Sequence, residues 1–204
     1  MEWWQEPAAR LHEGAMTVAG NRQQQLTKPP GSLGELEHLA VQFAGWQGRS
    51  EPRIERLHIR IFAGDHGVVA EGVSAFPQAV TVQMIQNFTA GGAAIAVLAR
   101  HCNAGFSVIN VGTATPTSDQ PGLVNAQLAP GTANFCYAAA MSEALLLQAL
   151  ACGAEHAPTE GDLFIGGEMG IGNTSAAAAL TSALLTLPAE TTVGRGTGVD
   201  DDGL

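Results

Sequence analysis

Two short stretches carry the residue types that could do chemistry. The first is Gly166-Gly167-Glu168-Met169-Gly170-Ile171-Gly172, followed by Asn173, Thr174 and Ser175. Four glycines within seven residues let the backbone turn sharply and approach a ligand. Thr174 and Ser175 are placed to cap the alanine-rich run that follows, which has high helix propensity. A strand end, a glycine loop and a helix N-terminus form an anion site, with free N–H groups and a favourable dipole. Glu168 inside such a loop is out of place for simple phosphate cradling and suits a site that also handles a proton or a hydroxyl. The spacing is neither G-x-G-x-x-G nor a loop closed by Gly-Lys-Ser/Thr. On the residues alone, a ligand loop and a merely tight strand-to-helix turn stand level. The second stretch is Gly64-Asp65-His66-Gly67, an acid and an imidazole after an alternating apolar run. Three readings are open for it: a chemical role, local satisfaction with Asp65 capping the turn, and a metal site lacking a third ligand.

The elements that must hold these residues follow from periodicity. Residues 57–63 alternate apolar and polar and predict a first strand; 106–111 predict a second, 163–165 a third and 191–193 a fourth. Helices are predicted over 33–46, 80–88 and 93–101, and from Ser142 to about Cys152. Ser32 with Glu35 reads as a capping box. Residues 1–26 predict a helix with a partial apolar face, and Trp3 and Trp4 suit an interface. The segment 113–135 is long for a plain connection, and 194–198 form a second glycine loop. Strands alternating with helices predict a Rossmann-like α/β fold: a parallel sheet with helices on both faces, plus a small helical N-terminal part. The expected division is a helical segment over 1–50 and an α/β domain over 51–204. The chain stops after a ligand-type loop without its next helix, so the fold is expected to be C-terminally incomplete, with an exposed sheet edge.

Composition narrows the function classes. Nine Lys+Arg against nineteen Asp+Glu give a net charge of −10, which argues against nucleic acid or an anionic membrane as partner. Aromatics at 5% and abundant alanine and glycine favour close-packed α/β layers over a β-sandwich. Cys102, Cys136 and Cys152 are far apart and read as reduced thiols of a cytoplasmic protein. The N-terminus lacks the basic-then-apolar pattern of a secretory signal, and no apolar run is read as approaching the ~20 residues of a membrane span. His12, His38, His58, His101 and His156 read as isolated, and Asp200 to Asp202 as a solvated turn or helix start.

Several stretches together resemble one family. They are LTKPPGSLGELE at 26–37, FAGDHGVVAEGVSAFPQAVT at 62–81, NFTAGGAAIAVLAR at 87–100 and GEMGIGNTSAAAAL at 167–180. They are similar to nicotinate-nucleotide–dimethylbenzimidazole phosphoribosyltransferase, of the lower-ligand branch of cobalamin synthesis. The resemblance implies transfer of the 5-phosphoribosyl group from nicotinate mononucleotide to 5,6-dimethylbenzimidazole. The products are α-ribazole 5′-phosphate and nicotinate, with inversion at the anomeric carbon. It implies no metal, no organic cofactor and a homodimer. By resemblance Glu168 is the loop carboxylate, in a supporting role. Met169 and Gly170 contact the benzimidazole, and Phe76 and Met84 line the same slot, where some members carry polar residues. Asp65, Gly172, Asn173 and Thr174 join the substrate-binding set, and Gly194 and Gly196 lie near the nucleotide phosphate. The family continues past Leu204, to a lysine that meets the phosphate and a glutamate regarded as the main base. Low or no activity is therefore expected of this chain. The alternatives are a truncated, non-catalytic azole- or nucleotide-binding homologue and a metal-dependent hydrolase built on Asp65 and His66.

Overall fold

A computed structural model describes residues 5–204; Trp3 and Trp4 lie outside the described residues. The chain divides into two compact units, residues 1–55 and 56–204.

The first unit is a helical hairpin of α1 (Glu13–Gln25) and α2 (Glu35–Gln47). Ala15, Ala19 and Ala44 are buried between the helices, with Val41 packed against them. Small side chains permit this close crossing: a Cβ on Gly45 would lie 2.7 Å from Met16 Cγ. His12 is not idle, because its Nδ1 accepts from Ala15 N at 3.0 Å and caps α1. The predicted capping box is not formed. Gly31 and Gly34 take positive φ and insert a turn, so α2 starts only at Glu35. Glu37, not Glu35, closes the turn by accepting from Leu33 N at 3.1 Å, and Lys28 Nζ sits 2.7 Å from the same carboxylate.

The second unit is built on a parallel sheet of β1 (Leu57–Gly64), β2 (Gly105–Gly112), β3 (Leu123–Asn125) and β4 (Leu163–Met169), in the order β3-β2-β1-β4. The remaining helices are α3 (Val80–Thr89), α4 (Ala94–His101), α5 (Glu143–His156) and α6 (Asn173–Leu185). Alternation along β1 sends Ile59, Ile61 and Ala63 to one face. There they meet Ile85 and Phe88 of α3, Ala96 and Ala99 of α4, and Val108 of β2. Burying each isoleucine stabilises by roughly 2–3 kcal/mol. Val80–His101 is apolar and long enough to cross a membrane, longer than the sequence reading allowed. It is two helices, broken at residues 90–93, and their buried side chains supply this core.

Three expectations are corrected here. Residues 191–193 form no strand: a short 3-10 turn, Ala189–Thr191, stands there. Thr191 and Thr192 donate their hydroxyls to Pro188 O and Ala189 O, at 2.7 and 3.1 Å, which favours a turn over an extended ladder. The fourth strand is instead β3, inside the long segment 113–135. At α6 the cap position is Gly172, at φ +93°, and no side chain caps the helix; Thr174 and Ser175 lie inside it. Ser142 does cap α5, accepting from Leu145 N at 3.2 Å.

Strand β4 runs on to Met169, so Glu168 projects from a strand and not from a loop. Gly167 has a packing reason, because a Cβ there would lie 2.5 Å from Ile61 Cδ1. Parallel pairing sets Glu168 beside Phe62 and Met169 beside Ala63. The carboxyl ends of β1, β2 and β4 therefore open at one rim of the sheet.

Candidate functional site

At that rim, on the sheet face that carries Phe62, lies a cavity of about 220 Å³. Phe62, Val111, Leu128 and Met141 give it apolar walls, with Leu145 and Ala149 of α5. Its polar groups are Asp65, His66, Thr132, Glu168 and Asn173.

His66 joins chain segments that are distant in sequence. Its Nε2 makes a short hydrogen bond to Asn173 Oδ1, and its Nδ1 lies 3.3 Å from Thr132 Oγ1. Gly67 N donates to Thr132 O at 3.0 Å, and Thr132 N donates to Asp65 O at 2.9 Å. Gly172 packs against the base of the His66 side chain, since a Cβ there would stand 3.1 Å from His66 Cβ. With Asn173 Oδ1 as the acceptor, Nε2 carries a proton, and Nδ1 either accepts from the Thr132 hydroxyl or donates to it. Asn173 then turns its NH₂ group away from His66.

Glu168 keeps contact with solvent, yet desolvation holds its carboxyl above the usual glutamate range. The charge of His66 pulls the other way and is the weaker influence. A carboxylate in this state is a better proton acceptor than an ordinary surface glutamate.

Asp65 is 3% exposed. Its Oδ2 accepts from Ala114 N at 2.9 Å, so it ties down the turn after β2 and does not cap its own. Its Oδ1 is buried and meets no donor. The turn after β2 is held further by Asn110, fully buried in β2. Asn110 Nδ2 donates within 3.1 Å of Thr113 Oγ1 and 2.9 Å of Thr117 Oγ1, and Gly112 N donates to Asn110 Oδ1 at 3.0 Å. This network explains why 113–135 is long and still ordered: it folds back on β2 and builds one wall of the cavity.

A second, larger cavity of about 520 Å³ lies on the other side of the α6 N-terminus. Thr174, Ser175 and Ala178 line it from α6, Val68 and Glu71 from the 3-10 turn after β1, and Gly194 from the second glycine loop.

The residues singled out in the sequence are thus divided. Asp65, Glu168 and Asn173 share the smaller cavity, whereas Thr174 and Gly194 line the larger one. Gly170 and Gly172 form the turn between β4 and α6. Gly196, at φ +50°, abuts Thr174: a Cβ there would meet Thr174 Oγ1 at 2.7 Å. Met84 and Met169 pack against the main core and line neither cavity. Phe76 is 51% exposed in a loop whose Ser74 Oγ lies 2.8 Å from Thr197 Oγ1, which connects it to the second glycine loop. Among the described residues, no three His, Cys, Asp or Glu side chains gather as a metal site. Sequence reading left His66 undecided and missed Thr132. The signal for His66 was its place just after a strand; Thr132, in a polar segment, carried none.

Comparison with known proteins bears on this geometry. A family model described as "Phosphoribosyltransferase" matches residues 8–204. The nicotinate-nucleotide–dimethylbenzimidazole phosphoribosyltransferase of Pseudomonas fluorescens (strain SBW25) is 55% identical over 206 residues, covering 99% of this chain and 59% of the relative. The protein of the same name from Pseudomonas aeruginosa (strain UCBPP-PA14) is 52% identical over 210 residues, covering 100% of this chain and 59% of the relative. The crystal structure of CobT from Thermus thermophilus superposes with a TM-score of 0.84 at 47% identity, over 93% of this chain and 58% of that one. The chain thus spans about 59% of the length of the curated relatives it matches.

Proposed function

We infer the function from one premise: this chain belongs to the phosphoribosyltransferase family. Its reaction is transfer of the 5-phosphoribosyl group from nicotinate mononucleotide to 5,6-dimethylbenzimidazole, giving α-ribazole 5′-phosphate and nicotinate. The observation that carries this reading is the gathering of Glu168, His66 and Asn173 at the strand ends. The relatives named for this reaction support it.

The azole nitrogen attacks the anomeric carbon as the bond to the nicotinate ring nitrogen breaks. Nicotinate leaves with the electron pair. The attacking azole must then lose its ring proton, and Glu168, held protonation-prone by desolvation, supports that transfer. Its negative charge also favours the positive charge that builds on the ribose. The nucleotide phosphate is assigned to the larger cavity, where Thr174 and Gly194 stand at the α6 N-terminus. A homodimer and a cytoplasmic location belong to the same reading; light scattering checks the first.

The test is a product assay. The purified chain is incubated with nicotinate mononucleotide and dimethylbenzimidazole, and the mixture is resolved by chromatography. Whatever product forms is expected to be α-ribazole 5′-phosphate and nicotinate in equal amounts and in low yield, with a full-length relative as the positive control. Substrate binding without product would instead mark a non-catalytic azole or nucleotide binder, and absence of both would overturn the assignment.

A further inference from the structure

We propose that His66 is a positioning residue: its Nε2–H fixes the Asn173 carboxamide so that the NH₂ group faces the reacting groups beside Glu168. The inference deepens the reading above and rests on it for the identity of the substrates. Its geometry stands apart from that reading.

Three observations carry it. His66 Nε2 bonds to Asn173 Oδ1, while Nδ1 lies 3.3 Å from Thr132 Oγ1, so both ring nitrogens are occupied and the ring has little freedom to flip. Gly172, at φ +93°, packs against His66 Cβ and the Val69 side chain, so a Cβ there would be both strained and tight, at 3.1 and 3.0 Å. Asn173 and Glu168 line the same cavity as the ring. An asparagine amide presents either a donor or an acceptor depending on its flip. A neighbour that donates to Oδ1 removes that ambiguity and leaves the NH₂ as a fixed donor. Beside Glu168, a fixed donor and an acceptor carboxylate form a matched pair. Such a pair suits a ligand set in which the azole N–H meets the carboxylate and a ribosyl oxygen accepts from the NH₂, leaving the pyridine-like nitrogen free to attack.

The charged groups that share the cavity with His66 are Glu168, from β4, and Asp65, at the end of β1; Thr132 and Asn173 are neutral. Removing His66 therefore frees the amide and also removes the one influence that lowers the proton affinity of Glu168.

The experiment compares wild type with His66→Gln, which keeps a donor, and His66→Phe, which does not. Ring ¹⁵N shifts in the wild type are expected to show Nε2 protonated; a bare Nε2 overturns the proposal. With both substrates, His66→Phe is expected to lose roughly tenfold in kcat/KM, and the acid limb of its pH profile moves to higher pH. His66→Gln should stay within about threefold of wild type. Equal losses in both variants, or an unmoved acid limb in His66→Phe, would overturn it. If the wild type forms no product, the reaction assignment fails, and the ring tautomer alone decides the positioning role.

Discussion

Replacing Gly170 with alanine isolates the cost of the close approach at the sheet rim. Gly170 is the first residue beyond β4, and its backbone lies against the end of β1. A Cβ at this position would lie 2.0 Å from Gly64 O and 2.7 Å from Asn173 Oδ1. Real Cβ contacts stay beyond 3.0 Å, so the two segments must part by roughly an ångström. The first obstacle is a backbone carbonyl at the end of the central strand, which cannot rotate aside as a side chain can. Overpacking of this kind costs about 1–3 kcal/mol, and a backbone obstacle puts it near the top of that range. For a chain of this size, ~3 kcal/mol lowers Tm by roughly 6–12 °C. The second obstacle is the amide that His66 holds, so nicotinate mononucleotide binding should weaken with stability. Urea unfolding followed by circular dichroism and calorimetric binding measure the two effects. Gly153→Ala in α5 is the control: a Cβ there meets nothing within 4 Å, and relief of a helix-interior glycine should stabilise by about 0.5–1 kcal/mol. A Gly170→Ala protein with unchanged Tm and unchanged affinity would refute the claim that the turn after β4 is sterically full.

The remaining predictions concern charge, the buried network and one cap. Folded Glu168 holds its proton to higher pH than an unfolded glutamate, so its ionisation costs stability as pH rises through that window. Glu168→Gln should raise the urea midpoint at neutral pH, lose that advantage below the ordinary carboxylate range, and lower kcat in the product assay. Asn110→Ala should cost about 3 kcal/mol, because it leaves a void and strips the buried Gly112 N of its acceptor; thermal melts read it directly. Ser142→Ala removes the hydroxyl that caps α5 and should cost ~1 kcal/mol in urea unfolding, with kcat unchanged.

The parts of the fold that were legible are those where one face of an element is buried. Ile59, Ile61 and Ala63 alternate because β1 is central and covered by α3 and α4, and α3 and α4 show helical spacing for the same reason. Strand β4 gave a weaker signal, being an edge strand with Phe164 and Ile165 exposed and glycines at its centre. Its run stopped, on paper, at the first glycine, although Gly167 is there to make room for Ile61. Strand β3 is three residues long and is defined by what Asn110 holds, which no local pattern reveals. At 191–193, β-branched residues suggested a strand, and local hydroxyl-to-carbonyl bonds decided for a turn.

The site shows the same limit more sharply. Glycine spacing marked the turn at 170–172, and the carboxylate Glu168 stood out by its type. What gives Glu168 its character is spatial: partial desolvation at the rim raises its proton affinity although the residue meets solvent, and His66, 102 positions earlier in the numbering, opposes that. His66 reaches Thr132 across 66 residues and Asn173 across 107. Those contacts exist because the sheet order brings the ends of β1 and β4 together, while the turn after β2 folds back against them. Residue type can therefore nominate an acid and an imidazole, but their partnership depends on strand order. Strand order is a property of the whole sheet. The substitutions that test the pairing are accordingly those at Gly170 and His66, which alter the geometry while leaving the carboxylate in place.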